Sequence, residues 1–306
     1  MNVQEWALIA FTILVQMSVG AMWVLRVAHY FAARKYGVEE ADRLSDRALL
    51  ALVPVIALAF VASLFHLGNP FNAYRAVTNL GSSWLSREIL FGVIFAVLVT
   101  VFAFMQWRKI GSFGLRNVIA WLAALVGLVL VFSMSNVYLL QSQPAWNSWA
   151  TPVSFFATTF LLGALAMGAA FVANYDYVRR KEPDCADVQC TLMREALRWV
   201  AVAAVLLVGV ELVVLPIYLA TLASGSAAGL ASVQLMAGSF GWVLALRVIL
   251  AFVGAGVFAM FLYQNAMSVG REKVLGSIAY PAFVIVLVAE VLARVLFYTA
   301  HVRIGI

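Results

Sequence analysis

The chain has 306 residues, of which 65% are hydrophobic and only 11% charged. That leaves too little polar surface for a water-soluble domain, so the composition specifies an all-α, polytopic membrane protein. The net charge of +6 would suggest nucleic acid in a soluble protein; here basic loops account for it, and no nucleic-acid partner is expected.

Eight spans are expected near residues 6–30, 48–67, 88–107, 117–140, 153–178, 199–222, 241–264 and 278–301 of a single integral domain over 1–306. Each has the roughly 20 residues that cross about 30 Å of hydrocarbon. The first run lacks a basic leader, since Met1 to Glu5 carry no Lys or Arg, so it reads as a span rather than a signal peptide. Gln16 lies near its middle and His29 near its end. The segment 31–47 is read as a loop, and His66 closes the second span in the run Ser63-Leu64-Phe65-His66-Leu67-Gly68-Asn69-Pro70. After a loop holding Arg75 and Arg87, Glu88 opens the third span. Ser133, Ser135, Asn136 and Tyr138 fall late in the fourth. Glu211 sits near the middle of the sixth, Arg247 in the seventh, and Glu290, Arg294 and Tyr298 follow one another at four-residue spacing in the eighth.

Fourteen of the twenty Lys and Arg residues fall in the loops 31–47, 108–116, 179–198 and 265–277. The basic loops are therefore expected on the cytoplasmic side of a bacterial inner membrane, with both termini outside. Cys185 and Cys190 share one of those loops; two thiols cannot supply the four ligands of a structural zinc or an iron–sulfur cluster, and a cytosolic disulfide is disfavoured. The outer loops 69–87, 141–152 and 223–240 are nearly uncharged, and their tryptophans suit either an interfacial belt or a docking surface for a partner.

Ionisable groups in hydrocarbon are costly and point to function. His66 and Glu88 border the same external hairpin at one depth, and an imidazole with a carboxylate suits proton-coupled chemistry on a lipid-soluble quinol, which sheds two protons with two electrons. A helix-capping interfacial histidine is the plainer reading of His66. Glu211, Arg247, Glu290 and Arg294 read as structural ion pairs among spans six to eight, with a proton path as the alternative. Gln16, Asn136 and Tyr138 are candidate pocket residues. There are three histidines, so a pair of stacked bis-histidine haems is ruled out, while one haem between His66 and His301 is geometrically open.

Phe65-His66-Leu67-Gly68-Asn69-Pro70 with Ala73, and Leu85-Ser86-Arg87-Glu88-Ile89, resemble the membrane anchor subunit of dimethyl sulfoxide reductase, the DmsC family. Pro144-Ala145-Trp146 with Thr151-Pro152 and Phe155-Phe156 is similar to that family's fourth-to-fifth loop, and Glu290 to Arg294 with Phe297-Tyr298 to its last helix. Gln16, Glu211 and Arg247 also fall where the family keeps polar residues. The resemblance implies a haem-free, cluster-free anchor that oxidises menaquinol and passes electrons to an iron–sulfur subunit and on to a molybdopterin subunit. It implies His66 as the quinol-site histidine and Glu88 as its carboxylate, with Gln16, Gly68, Arg75, Arg87, Asn136 and Tyr138 as quinol-binding candidates. Where the family often has an Arg before the span-four Tyr, this chain has Ser135-Asn136-Val137. A secondary transporter and a haem-bearing anchor are the competing expectations.

Overall fold

The computed structural model describes residues 3–66, 78–181, 186–268 and 271–305. In hydrocarbon each backbone N–H and C=O must be satisfied within its own segment, so long apolar runs form helices. The helices are α1 (Val3–Tyr36), α2 (Val38–His66), α3 (Trp84–Arg108), α4 (Phe113–Val137), α5 (Ala150–Lys181), α6 (Ala186–Gly225), α7 (Ala227–Ala237), α8 (Gly241–Ala251), α9 (Ala259–Met267) and α10 (Glu272–Thr299). A π-helical stretch, Phe252–Phe258, joins α8 to α9 into one span. Among the described residues there is no strand, and eight helical segments are long and apolar enough to cross a membrane.

Three segments expected to be loops are helical, among them 179–198, whose described residues belong to the end of α5 and the start of α6. The stretch 31–47 continues α1 and α2, and the only break is Gly37, whose φ of 92° needs a residue without Cβ. Asp42 and Asp46 are helix-face partners rather than solvated loop charges: Asp42 Oδ1 lies 2.9 Å from His29 Nε2, and Lys109 Nζ donates to Asp42 at 2.9 Å and Asp46 at 2.8 Å. Lys109 reaches both from a left-handed cap at the end of α3, with φ 53°. The segment 223–240, expected as an outer loop, contains α7, opened by Ser226, whose hydroxyl accepts from the Gly229 N–H at 3.0 Å.

The π stretch was not foreseen either. It lies where span seven presses on α10; a Cβ on Gly254 would stand 2.6 Å from Val286 Cγ2. The extra residue in that turn widens the helix at the tight contact.

The spans form two groups. α1 to α4 pack together, α5 to α10 pack together, and α1 against α5 is the main seam between them. These two helices are also the most buried spans. The seam depends on Gly20 and Gly163: a Cβ on Gly20 would fall 1.8 Å from the Thr159 carbonyl oxygen, and one on Gly163 would fall 2.2 Å from the Gly20 carbonyl carbon. Backbones this close exclude any side chain, the device by which helices associate in lipid. Gly163→Leu is expected to force the seam apart and destabilise the chain by about 3 kcal/mol, the upper end of overpacking costs. Gly209→Ala, where no atom lies within 4 Å of the new Cβ, is expected to be silent. Midpoints of denaturant unfolding in mixed micelles check both.

The outer surface is apolar and the interior carries the polar groups. Leu58, Val97, Val118, Leu206 and Val213 are all more than half exposed, whereas Thr12, Gln16 and Thr159 are fully buried. Exposed apolar surface on this scale requires lipid around it. Exposed tryptophans mark the two ends, with Trp6, Trp149 and Trp242 at helix starts on one side, and Trp107 and Trp199 on the other. The eight helices and the apolar rim are those of a multi-pass membrane protein.

Candidate functional site

α2 ends at His66. The His66 side chain, Gly68 and Arg75 lie outside the described residues. Across the hairpin, Ser83 caps α3 by accepting from the Ser86 N–H at 3.2 Å. That cap starts the helix so that Glu88, one turn on, faces the bundle. Glu88 is buried, and it makes no hydrogen bond or ion pair with any described residue. Arg87 points elsewhere: Nε donates to the Leu80 carbonyl and Nη2 to that of Gly81, both at 2.8 Å, and the guanidinium lies 4.2 Å over the Trp84 ring. Among the described residues it binds its own turn.

Tyr138 caps α4 with its ring directed inward. Its hydroxyl lies 2.7 Å from that of Tyr298 on α10, and Glu88 is within electrostatic reach of both. The Tyr138 ring packs edge-on against Phe297 at 5.1 Å and Trp146 at 5.5 Å. Asn136 does not join this group, because its amide donates to the Phe132 carbonyl of its own helix at 2.7 Å. Sequence reasoning grouped Tyr138 with Glu88 as candidate pocket residues, but gave no hint of Tyr298 as the partner hydroxyl.

Gln16 is fully buried and ties the two helix groups together. Its Oε1 accepts from Arg294 Nη2 at 2.9 Å, and its Nε2 donates to the Phe155 carbonyl at 2.8 Å. Arg294 also lies 3.7 Å over the Phe155 ring, a cation–π contact that offsets part of its desolvation. The four-residue spacing of Glu290 and Arg294 suggests a mutual ion pair, and this is corrected: Arg294 turns to Gln16, while Glu290 accepts from the Thr158 hydroxyl at 2.6 Å. The other expected pair forms, with Arg247 Nη2 donating to Glu211 Oε2 at 2.9 Å. The Glu290 carboxyl stands beside that of Glu211. The polar groups thus make one belt across the bundle, from Glu88 through Tyr138, Tyr298, Arg294 and Glu290 to Glu211 and Arg247. Thr158 carries no sequence signal that would have singled it out from other threonines in apolar spans.

Trp146 is neither part of a belt nor exposed for docking. Its indole N–H donates to the Phe297 carbonyl at 2.7 Å, its ring stacks on Phe297 at 5.6 Å, and His301 covers it at 4.2 Å. The 141–152 loop is thereby pinned on the end of α10. Trp149 in the same loop is exposed.

Comparison with known proteins agrees with this geometry. The family model described as DMSO reductase anchor subunit (DmsC) matches residues 1–300. The anaerobic dimethyl sulfoxide reductase chain YnfH of Escherichia coli is 28% identical over 98% of this chain and 96% of its own length. A second protein of the same organism, also named as part of an anaerobic dimethyl sulfoxide reductase, is 27% identical over the same shares. One subunit of the sulfite dehydrogenase of Allochromatium vinosum is 28% identical over 56% of this chain and 54% of its own. With the family matched over nearly its whole length, eight spans in place and a polar belt inside them, the chain belongs to the DMSO reductase anchor subunit (DmsC) family and is a membrane anchor subunit of that family.

Proposed function

We propose that this chain oxidises a quinol, menaquinol by the family resemblance, at the hairpin between His66 and Glu88. It passes the electrons to an iron–sulfur subunit, which feeds a molybdopterin subunit that reduces the terminal acceptor. The observation that carries the reading is Glu88: a buried carboxyl with no described countercharge, one turn into α3, beside the Tyr138–Tyr298 hydroxyl pair. A structural carboxylate in hydrocarbon is normally paired, as Glu211 is; a carboxyl that takes up and releases protons is better left without a fixed cation.

The chemistry balances simply. A quinol loses two protons and two electrons and becomes a quinone. His66, an imidazole of the type that titrates near neutral pH, accepts the two protons one after the other, and Glu88 orients that ring or relays each proton to water at the membrane surface before the next is taken. The two tyrosine hydroxyls can bond to a quinone oxygen or hold its ring in register. The electrons leave for the nearest cluster of the partner, so its docking face belongs at the His66 end, where Trp84 and Arg87 border the surface. Relatives of this chain are named for a reductase and for a dehydrogenase, and the same pair serves quinone reduction by running the steps in reverse.

The test uses the complex purified through a tag on this chain. Mass spectrometry is expected to identify an iron–sulfur and a molybdopterin subunit, and anaerobic addition of a naphthoquinol to give the electron-spin resonance signal of a reduced cluster. A complex that carries clusters but stays oxidised with naphthoquinol, while dithionite reduces it, contradicts the proposal.

A further inference from the structure

A second polar feature lies in the other half of the molecule, away from His66. α5, α6, α8 and α10 enclose a cavity of about 110 Å3 whose wall includes Glu211, Arg247, Arg294 and Thr158. That volume is less than the roughly 150 Å3 that holds one benzene ring in other proteins, so only the polar edge of a ring fits inside and the rest stays in the lateral opening. The outer end is closed by an apolar cluster of Ala145, Leu222, Met236 and Ala300, with the Tyr218 hydroxyl donating to the Ala145 carbonyl at 2.7 Å. Towards the opposite side, α6 packs on the π stretch and α9. Between these closures α6 stands away from α8, and the Glu211–Arg247 bridge crosses the gap. Val210, Val214 and Leu244 flank it. The gap faces the apolar rim, where Val213 and Ile249 are more than half exposed. The cavity is therefore entered from the bilayer.

Its wall leaves hydrogen-bonding capacity unused. Glu211 Oε1 and Arg247 Nε are buried without a partner, although the Glu211 side chain is only 5% exposed. One is an acceptor and the other a donor. Buried groups of this kind are normally satisfied. Two carboxyls, Glu211 and Glu290, stand side by side there against two guanidiniums, Arg247 and Arg294, so acids and bases are matched in number. An entry from lipid, room for the polar edge of a ring, and an unpaired acceptor near an unpaired donor fit a ring that bears hydroxyl or carbonyl groups.

We infer that this cavity is a second binding site for a lipid-borne quinol or quinone, entered between α6 and α8, with Glu211 accepting from a ring hydroxyl and Arg247 donating to a ring oxygen. It takes the ligand class from the proposed function but not the location, and it asks for no electron transfer at this site. The polar belt connects it to Glu88 on the far side of the seam.

The experiment is photolabelling of the intact complex in liposomes with an azido-naphthoquinone carrying a decyl tail, followed by mapping of labelled peptides. Label is expected on the 208–218 and 241–249 segments as well as near Trp84 to Glu88. Excess unlabelled decyl-naphthoquinone should lower both, and Ala157→Leu or Ala293→Leu, which fill the cavity from two different helices, should lower only the α6–α8 labelling, by about tenfold. The inference is overturned if α6 and α8 are labelled no more than in a denatured control, or if phosphatidylglycerol displaces the label and naphthoquinone does not. Label confined to α6 and α8 would sustain this site and count against the His66–Glu88 reading; label confined to the Trp84 end would do the reverse. Displacement is read on the unaltered chain, so it stands even if a filled variant fails to assemble.

Discussion

Glu88→Gln is expected to lower quinol-dependent turnover of the complex by roughly 10²- to 10⁴-fold, the range for loss of an acid–base group, while leaving the amount of assembled chain unchanged. Glutamine keeps the size and hydrogen-bonding reach of the side chain but cannot take a proton. Among the described residues none donates to Glu88 or pairs with it, so the substitution strands none of them, and an uncharged amide is cheaper to bury than a carboxylate. Turnover driven by a viologen radical, which delivers electrons directly to the partner subunits, should be unaffected. A purely structural Glu88 would show the opposite pattern, with altered assembly and both donors affected equally.

The largest effect on stability is expected at Arg247. Arg247→Leu leaves Glu211 buried between α6 and α8 with neither oxygen paired, since Oε1 already has no partner and Oε2 loses its only one. Removing one member of a buried pair costs about 3–5 kcal/mol, enough to deplete the chain from membranes. The double variant Glu211→Leu with Arg247→Leu removes both charges and is expected to recover most of the loss, as hydrophobic replacement of buried pairs generally does. Membrane abundance and denaturant midpoints of the two single variants and the double variant measure the coupling. A double variant no better than Arg247→Leu would mean that the pair does more than neutralise itself, and the polar belt would then be the unit to dissect.

The eight spans were legible because hydrocarbon allows few alternatives: runs of about twenty apolar residues punctuated by Gly, Pro and basic clusters can be little else. The loops were less legible. Asp42, Asp46 and Lys109 look like solvated charges in one dimension, but they pair with one another across α2 and α3 and extend the helices beyond the bilayer. α7 is rich in Ala, Gly and Ser, a composition shared by loops, and only its packing under the ends of α6 and α8 separates the two.

The polar residues of the candidate site were visible individually, because each is an anomaly in its span, but their partners were not. Helical periodicity placed Arg294 beside Glu290, four residues away. The tertiary fold brings Gln16, 278 positions distant, within 2.9 Å instead. The same holds for Tyr138 and Tyr298, 160 positions apart, whose hydroxyls the tertiary fold brings to 2.7 Å. The cavity between α6 and α8 depends on how far two helices part, and periodicity carries no information on that distance.

The central claim is that quinol gives up its hydrogen at the His66–Glu88 hairpin and that its electrons leave this chain directly for a partner. The most direct measurement is turnover of the purified His66→Leu complex with naphthoquinol and, in parallel, with a viologen radical. Loss of at least about 10²-fold with naphthoquinol, at full activity with the viologen, is the expected result. Wild-type turnover with naphthoquinol in that variant would contradict the account.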